Sequence, residues 1–203
     1  MNDEKNLIPP QQTGRATDFS EEKKYPSKAE AHAGFKKTAD KFLNINQWHE
    51  YSGAGSAIFT LCNNQGEPAS GYAAKGALMS IELPVPGSDA GKGLEWVMIE
   101  DMDAHSDARA PEEFIAMIVR PCPEPHETRT EIAHFYQDIS TSTFIVKRSG
   151  KVVSAAVHGR NETPNNANVD LHDKVRNTLV ALSARVGLAG PQWKKLVKGL
   201  LAH

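Results

Sequence analysis

The sequence predicts an α+β domain in which an antiparallel sheet of about six strands packs on a long C-terminal helix. Three observations lead there. A helical period runs from Ser27 to Phe42, a period of two then recurs in six short runs between residues 56 and 159, and the helical period returns from Asp170. The connections between the six runs are too short for crossover helices, which makes neighbouring strands antiparallel.

Taken in order, residues 1–26 are polar, contain Pro9, Pro10 and Pro26, and sustain neither period, so a flexible N-terminal arm is expected there. A single domain over 27–203 follows. Its first helix opens on "SKAE", a capping box in which Ser27 and Glu30 satisfy each other's backbone amides. Phe35, Ala39 and Phe42 then share one face, away from Lys36, Lys37 and Asp40. The strand-like runs are "SAIFTLCN", "GALMSIELP", "LEWVMIEDM", "EFIAMIVRP", "TSTFIVKRS" and "KVVSAAVHG", separated by turn-forming stretches rich in Gly, Pro, Asn and Asp. The last two form the clearest hairpin, with Ser149 and Gly150 as its two-residue turn. Phe144, Val146, Val153, Ala155 and Val157 fall on its core face; Thr141, Thr143, Ser154, His158 and Arg160 fall on the other. Beyond Asp170, Leu171, Val175, Leu179, Leu182 and Val186 form an apolar stripe that ends at Gly187. Pro191 then starts a second helix, whose apolar face is Trp193, Leu196, Val197, Leu200 and Leu201.

Composition excludes several classes. With 25 acidic against 23 basic side chains there is no basic footprint, so nucleic acid is not an expected partner. No apolar run reaches the length of a membrane span and the N-terminus lacks a signal-peptide core, which gives the expectation of a soluble, cytoplasmic protein without stable membrane insertion. Cys62 and Cys122 are read as free thiols.

The motifs that carry chemistry are few. Asp101, Asp103, His105 and Asp107 alternate as cation ligands would, but the stretch lacks the glycine and distal glutamate of a calcium loop and reads as a solvated strand end, so no metal is expected. "SGAGSA" follows a helix and opens a strand, the reverse of a dinucleotide fingerprint, and no other cofactor motif is present. Cys122, between Pro121 and Pro123 and near His126, has nothing in the sequence to lower its pKa. Two polar groupings remain. His134, Tyr136 and Asp138 alternate in "AHFYQD", and His158, Arg160 and Glu162 alternate in "HGRNETPN". At one mouth of the sheet they would combine a histidine base, His134 or His158, with an arginine, Arg160 or Arg120, able to hold a carboxylate. Against this stands the plainer reading, in which Arg160 pairs with Glu162 or another surface carboxylate, His158 is solvated and Asn161, Asn165 and Asn166 make turn hydrogen bonds.

The end of the first helix reads "FLNINQWHEYSG", and its Trp48, Glu50 and Tyr51 match an aromatic segment of the form W-x-E-W. With the order of elements over residues 27–190, this resembles the START-like helix-grip superfamily of lipid carriers, pollen allergens and polyketide cyclases. Two features depart from it: no opening strand is evident in residues 8–26, and the helix from Pro191 is extra. The resemblance implies a curved sheet around the last long helix, with a cavity between them for a small amphipathic molecule. Ligand-binding candidates are Trp48, Arg120, Tyr136, Phe144, Arg160 and Glu162. Two alternatives stand beside carriage: a cyclase, hydratase or hydrolase with a histidine base on the same scaffold, and an interaction module in which "WKKLVKGLL" meets a partner or its own copy in a homodimer.

Overall fold

A computed structural model describes residues 7–84, 91–126, 131–165 and 190–203. The elements are β1 (Arg15–Lys24), α1 (Lys28–Leu43), a 3-10 turn (Ile45–Gln47) leading into α2 (Trp48–Ser52), then β2 (Ile58–Cys62), β3 (Leu78–Glu82), β4 (Glu95–His105), β5 (Glu112–Pro121), β6 (Thr141–Ser149) and β7 (Val152–Glu162). A helix over 190–201, α3, completes the described chain. The seven strands form one sheet in the order β1-β7-β6-β5-β4-β3-β2, with every pairing antiparallel. The predicted stripe from Leu171 to Val186 and its Gly187 cap lie outside the described residues.

The six predicted runs are β2 to β7. The seventh strand, β1, lies where a flexible arm was expected, and it also supplies the opening strand missing from the sequence reading. Its sequence, "RATDFSEEKK", carries a single large apolar residue and is half-buried at most. Such a strand can exist because it is an edge: it needs only the backbone ladder of β7 along Thr17 to Lys24, and its charged surface discourages further strands from adding on.

The β6–β7 turn falls one residue later than predicted, since Ser149 pairs with Val152 and leaves Gly150 and Lys151 as the loop. Gly150 takes a φ of 59°, suited to the first central position of a type II′ turn. Sliding both turn residues by one moves the register by two, which keeps each side chain on its predicted face. Phe144, Val146, Val153, Ala155 and Val157 are accordingly all in the core.

On the inner face, α1 packs on β6 and β7 through Ala31, Gly34, Phe35, Thr38 and Phe42. Ser27 caps it, accepting from the Glu30 amide at 3.2 Å and donating its hydroxyl to Glu30 Oε1 at 2.8 Å. Helix α3 buries Leu196, Val197, Leu200 and Leu201 in the same core. Gly199 permits its approach, because a Cβ there would stand 2.0 Å from the Tyr51 carbonyl oxygen of α2. The terminal helix is therefore built into the domain, and its apolar stripe is not free for a partner. Among the described residues no helix is long and apolar enough to cross a membrane.

Two polar arrangements brace the sheet. At one end of the inner face, the fully buried Glu113 carboxylate accepts from Arg148 Nε, from His32 Nδ1 of α1 at 2.8 and 3.0 Å, and from the Ser106 hydroxyl at 3.0 Å. Arg148 spends its remaining donors on the carbonyls of Gly150 (3.2 Å) and Ala110 (2.8 Å). Burial alone would raise the Glu113 pKa, but these hydrogen bonds outweigh it and hold the carboxyl below its ordinary range.

On the outer face, Leu7 and Ile8 cover Phe114, Ala116 and Ile145. Asn161 fastens the segment: its Oδ1 accepts from the amides of Gln12 (2.7 Å) and Thr13 (3.2 Å), its Nδ2 donates to Pro10 O (3.1 Å), and its own amide donates to Gln11 Oε1 (2.9 Å). Asn161 also holds a φ of 55°, a conformation asparagine tolerates better than most residues. Asn161→Ala is expected to cost about 2 kcal/mol, through the lost bonds and the left-handed backbone. Limited proteolysis should then cut within residues 7–14 faster than in the parent. Asn161→Gly, which relieves the backbone but not the lost bonds, should release the segment equally.

Candidate functional site

Between the sheet and α3 lies a partly open cavity of about 90 Å³. Its floor is the inner face of β2 to β6, with Phe59, Met79, Ile81, Val97, Val119 and Phe144; its far wall is Pro191, Gln192, Trp193 and Lys195 of α3. The loop from β5 to β6 closes one side with His134, Phe135 and Tyr136. A hollow of about 230 Å³ between α1 and the ends of β4 and β5 is larger, but it is shallow and lies open at the surface. The deeper, largely apolar cavity is the better ligand site.

Aromatic packing sets its shape. Trp48 is fully buried and donates its indole N–H to the Phe42 carbonyl at 3.0 Å. Its ring sits 5.4 Å from Phe59 and 5.1 Å from Phe144, and Trp193 approaches the same two rings from α3 at 6.1 and 5.2 Å. Trp48 thus lies behind the lining and positions it, while Phe144 and Trp193 are the surfaces a ligand would touch.

The polar groups of the lining are oriented by backbone amides. His134 Nδ1 accepts the Tyr136 N–H at 2.9 Å, which leaves the ring proton on Nε2. Its ring stacks on Phe135 with centroids 4.3 Å apart. Burial pushes its pKa down to about 3, so His134 is neutral at physiological pH and too weakly basic to serve as a proton acceptor there. Tyr136 is raised well above the ordinary tyrosine range by burial and by the neighbouring Glu162 carboxylate, so its hydroxyl stays protonated. Glu162 accepts from the Thr17 hydroxyl at 2.9 Å and is itself raised, chiefly by burial. On α3, Gln192 Oε1 accepts the Ala57 N–H at 2.9 Å, while its Nε2 is buried without a partner among the described residues.

The structure thus brings His134, Tyr136 and Phe144 to one cavity and puts the other predicted residues elsewhere. His158 Nδ1 (2.6 Å) and Arg160 Nη2 (2.9 Å) both donate to Asp18 of β1, away from the cavity lining. Burial would raise Asp18, but these two partners hold its carboxyl low. Arg120 pairs with Glu100 at 3.0 Å and donates to the Asp138 carbonyl at 2.8 Å. Neither arginine lines the cavity. The physical reason is parity: Thr143 pairs with His158 and Thr141 with Arg160, on the face of the ribbon opposite Phe144 and Val157. Asp101 is paired with Lys75 at 2.7 Å, and among the described residues no three His, Cys, Asp or Glu side chains converge as a metal site. Burial pushes the Cys122 thiol up to about 12 and raises Cys62 as well, so neither is an activated nucleophile. Gln192 escaped the sequence reading, because a lone glutamine after a proline carries no motif.

Comparison with known proteins concerns architecture. No protein-family model matches the sequence, and no curated protein matches it. Among solved structures, hypothetical protein jhp0584 from Helicobacter pylori aligns with a TM-score of 0.53 and 12% identity, over 97% of this chain and 91% of that one. Major latex-like protein 151 from Panax ginseng aligns at 0.36 with 11% identity, over 86% and 97%. Truncated norcoclaurine synthase from Thalictrum flavum aligns at 0.36 with 10% identity, over 96% and 99%. The likeness to the Helicobacter pylori protein is one of fold alone, so what this chain does rests on its own cavity.

Proposed function

We propose that this helix-grip chain binds a small apolar or amphipathic molecule in the cavity between its sheet and α3. The observation that carries this reading is a pocket walled by Phe59, Met79, Ile81, Phe144 and Trp193 and interrupted by only a few fixed polar groups, the usual composition of a small-molecule site. Its volume is of the order of the engineered cavity of roughly 150 Å³ that takes one benzene, so the buried part of the ligand is a single ring or short branched chain, not a long acyl tail. Binding is also the role left to the polar groups, since a neutral His134 donates or accepts a hydrogen bond without taking a proton. The test is chemical-shift mapping with methylcyclopentane. Shifts should concentrate at Phe59, Phe144 and Trp193 and should vanish in Ala57→Leu, which fills the cavity from β2's lead-in with a longer side chain. No shift at these residues with any apolar probe of that size would remove the proposal.

A further inference from the structure

We infer that the polar end of the ligand is a hydrogen-bond acceptor, a carbonyl or carboxylate oxygen, because each of two amide-oriented side chains of the cavity lining keeps an N–H as its unoccupied end. This rests on the binding reading above and specifies the class of molecule. Gln192 and His134 are each ambiguous in isolation: an amide can be turned either way, and an imidazole can carry its proton on either nitrogen. Here a backbone N–H resolves each of them. The Ala57 amide occupies Gln192 Oε1 at 2.9 Å, so the NH₂ is the free end; the Tyr136 amide occupies His134 Nδ1 at 2.9 Å, so Nε2 carries the hydrogen. Both side chains line the same apolar cavity, and Gln192 Nε2 is buried with no acceptor among the described residues.

A buried donor without a partner is unfavourable, and a ligand that supplies the missing acceptor recovers that loss. A ligand whose polar end is itself a donor would leave both groups unanswered. Ser142, also in the lining, can turn its hydroxyl to either role and so does not restrict the ligand. Lys195 lines the cavity on α3 and reaches the Ala54 carbonyl at 3.3 Å, which adds a positive charge on the side where a carboxylate would be favoured. The arginines expected to hold the polar head are replaced in this role by a glutamine and a neutral histidine. The preference is accordingly for an acceptor atom, with or without charge.

The test compares probes of one shape. Cyclopentanone and methylenecyclopentane differ only in exchanging C=O for C=CH₂, and dissociation constants for both follow from ligand-observed and protein-observed NMR titration of the full chain. Cyclopentanone is expected to bind about tenfold more tightly, the scale of one satisfied buried hydrogen bond. In Gln192→Leu the ratio should fall toward one, while methylenecyclopentane binds as well as before or better. His134→Phe, tested separately, should reduce the same ratio if both donors are used. Cyclopentanecarboxylate binding more tightly than the ketone, with the gain lost in Lys195→Met, would place the ligand among small apolar acids; the reverse order would place it among neutral carbonyl compounds. Equal binding of ketone and alkene to the parent protein would overturn the inference while leaving the binding reading intact. Failure of every probe would overturn both.

Discussion

Arg148→Met is expected to destabilise the fold by about 3–5 kcal/mol, the cost of stranding one charge of a buried pair. The guanidinium and the Glu113 carboxylate are both out of reach of water, at 1% and 0% exposure. Without Arg148, Glu113 keeps only His32 and Ser106, and the carbonyls of Gly150 and Ala110 lose their donor. Methionine matches the length of the arginine stem, so lost packing is a minor part of the effect. The double variant Glu113→Leu, Arg148→Met should recover most of the loss, because replacing both charges removes the desolvation cost along with the attraction. Denaturant unfolding of the four proteins in the cycle measures the coupling directly. The sign with pH also follows. Glu113 has a folded-state pKa below its unfolded one, so its contribution is present above about pH 4.3 and disappears as pH falls through the folded value. The gap between parent and Arg148→Met should therefore narrow in acid. A loss under about 1 kcal/mol at neutral pH would show that the pair does not stabilise the domain as its burial implies.

The network also marks a limit of sequence reading. Period-two alternation was enough for β2 to β7 and for the core faces of β6 and β7, because in those runs one residue in two is large and apolar and the sheet buries that set. The strand β1 gave no such signal: an edge strand held by backbone ladders needs no apolar face, and "RATDFSEEKK", with Phe19 as its one large apolar residue, shows no alternation. Glu113 and Arg148 gave none either: "PEEF" and "KRSG" stand at strand ends, where charged side chains are ordinarily solvated. Only the register of β5 with β6, which sets Glu113 directly across from Arg148, reveals them as a buried pair beneath α1. The candidate site divides on the same grounds. His134, Tyr136 and Phe144 were legible, whereas the pull of "HGRN" as a catalytic cluster came from composition, and one-residue parity sends His158 and Arg160 to Asp18 instead.

That division puts the cavity's chemistry on His134, and its burial should be visible in acid stability. The folded-state pKa of about 3 lies far below the ordinary histidine value near 6.5, so the unfolded chain binds a proton that the folded chain refuses. The contribution is fully favourable above the unfolded pKa. Between about pH 6.5 and 3 it is lost at about 1.4 kcal/mol per unit as pH falls. Protonating the buried ring would also break the cavity's arrangement, because Nδ1 could no longer accept from the Tyr136 amide. Other groups titrate in the same range with both signs: Glu162, held high by burial, favours the folded state in acid, whereas Glu113 and Asp18, held low, disfavour it. The comparison that isolates His134 is therefore with His134→Asn, whose side-chain oxygen can still accept the Tyr136 N–H but does not titrate. Unfolding free energies of the two proteins, measured by urea denaturation from pH 7 to pH 4, should diverge steadily, with the asparagine variant gaining on the parent by about 1.4 kcal/mol per unit. Parallel curves would mean that the ring is reached by water in the folded state. The fixed donor assigned to it in ligand recognition would then have to be given up as well.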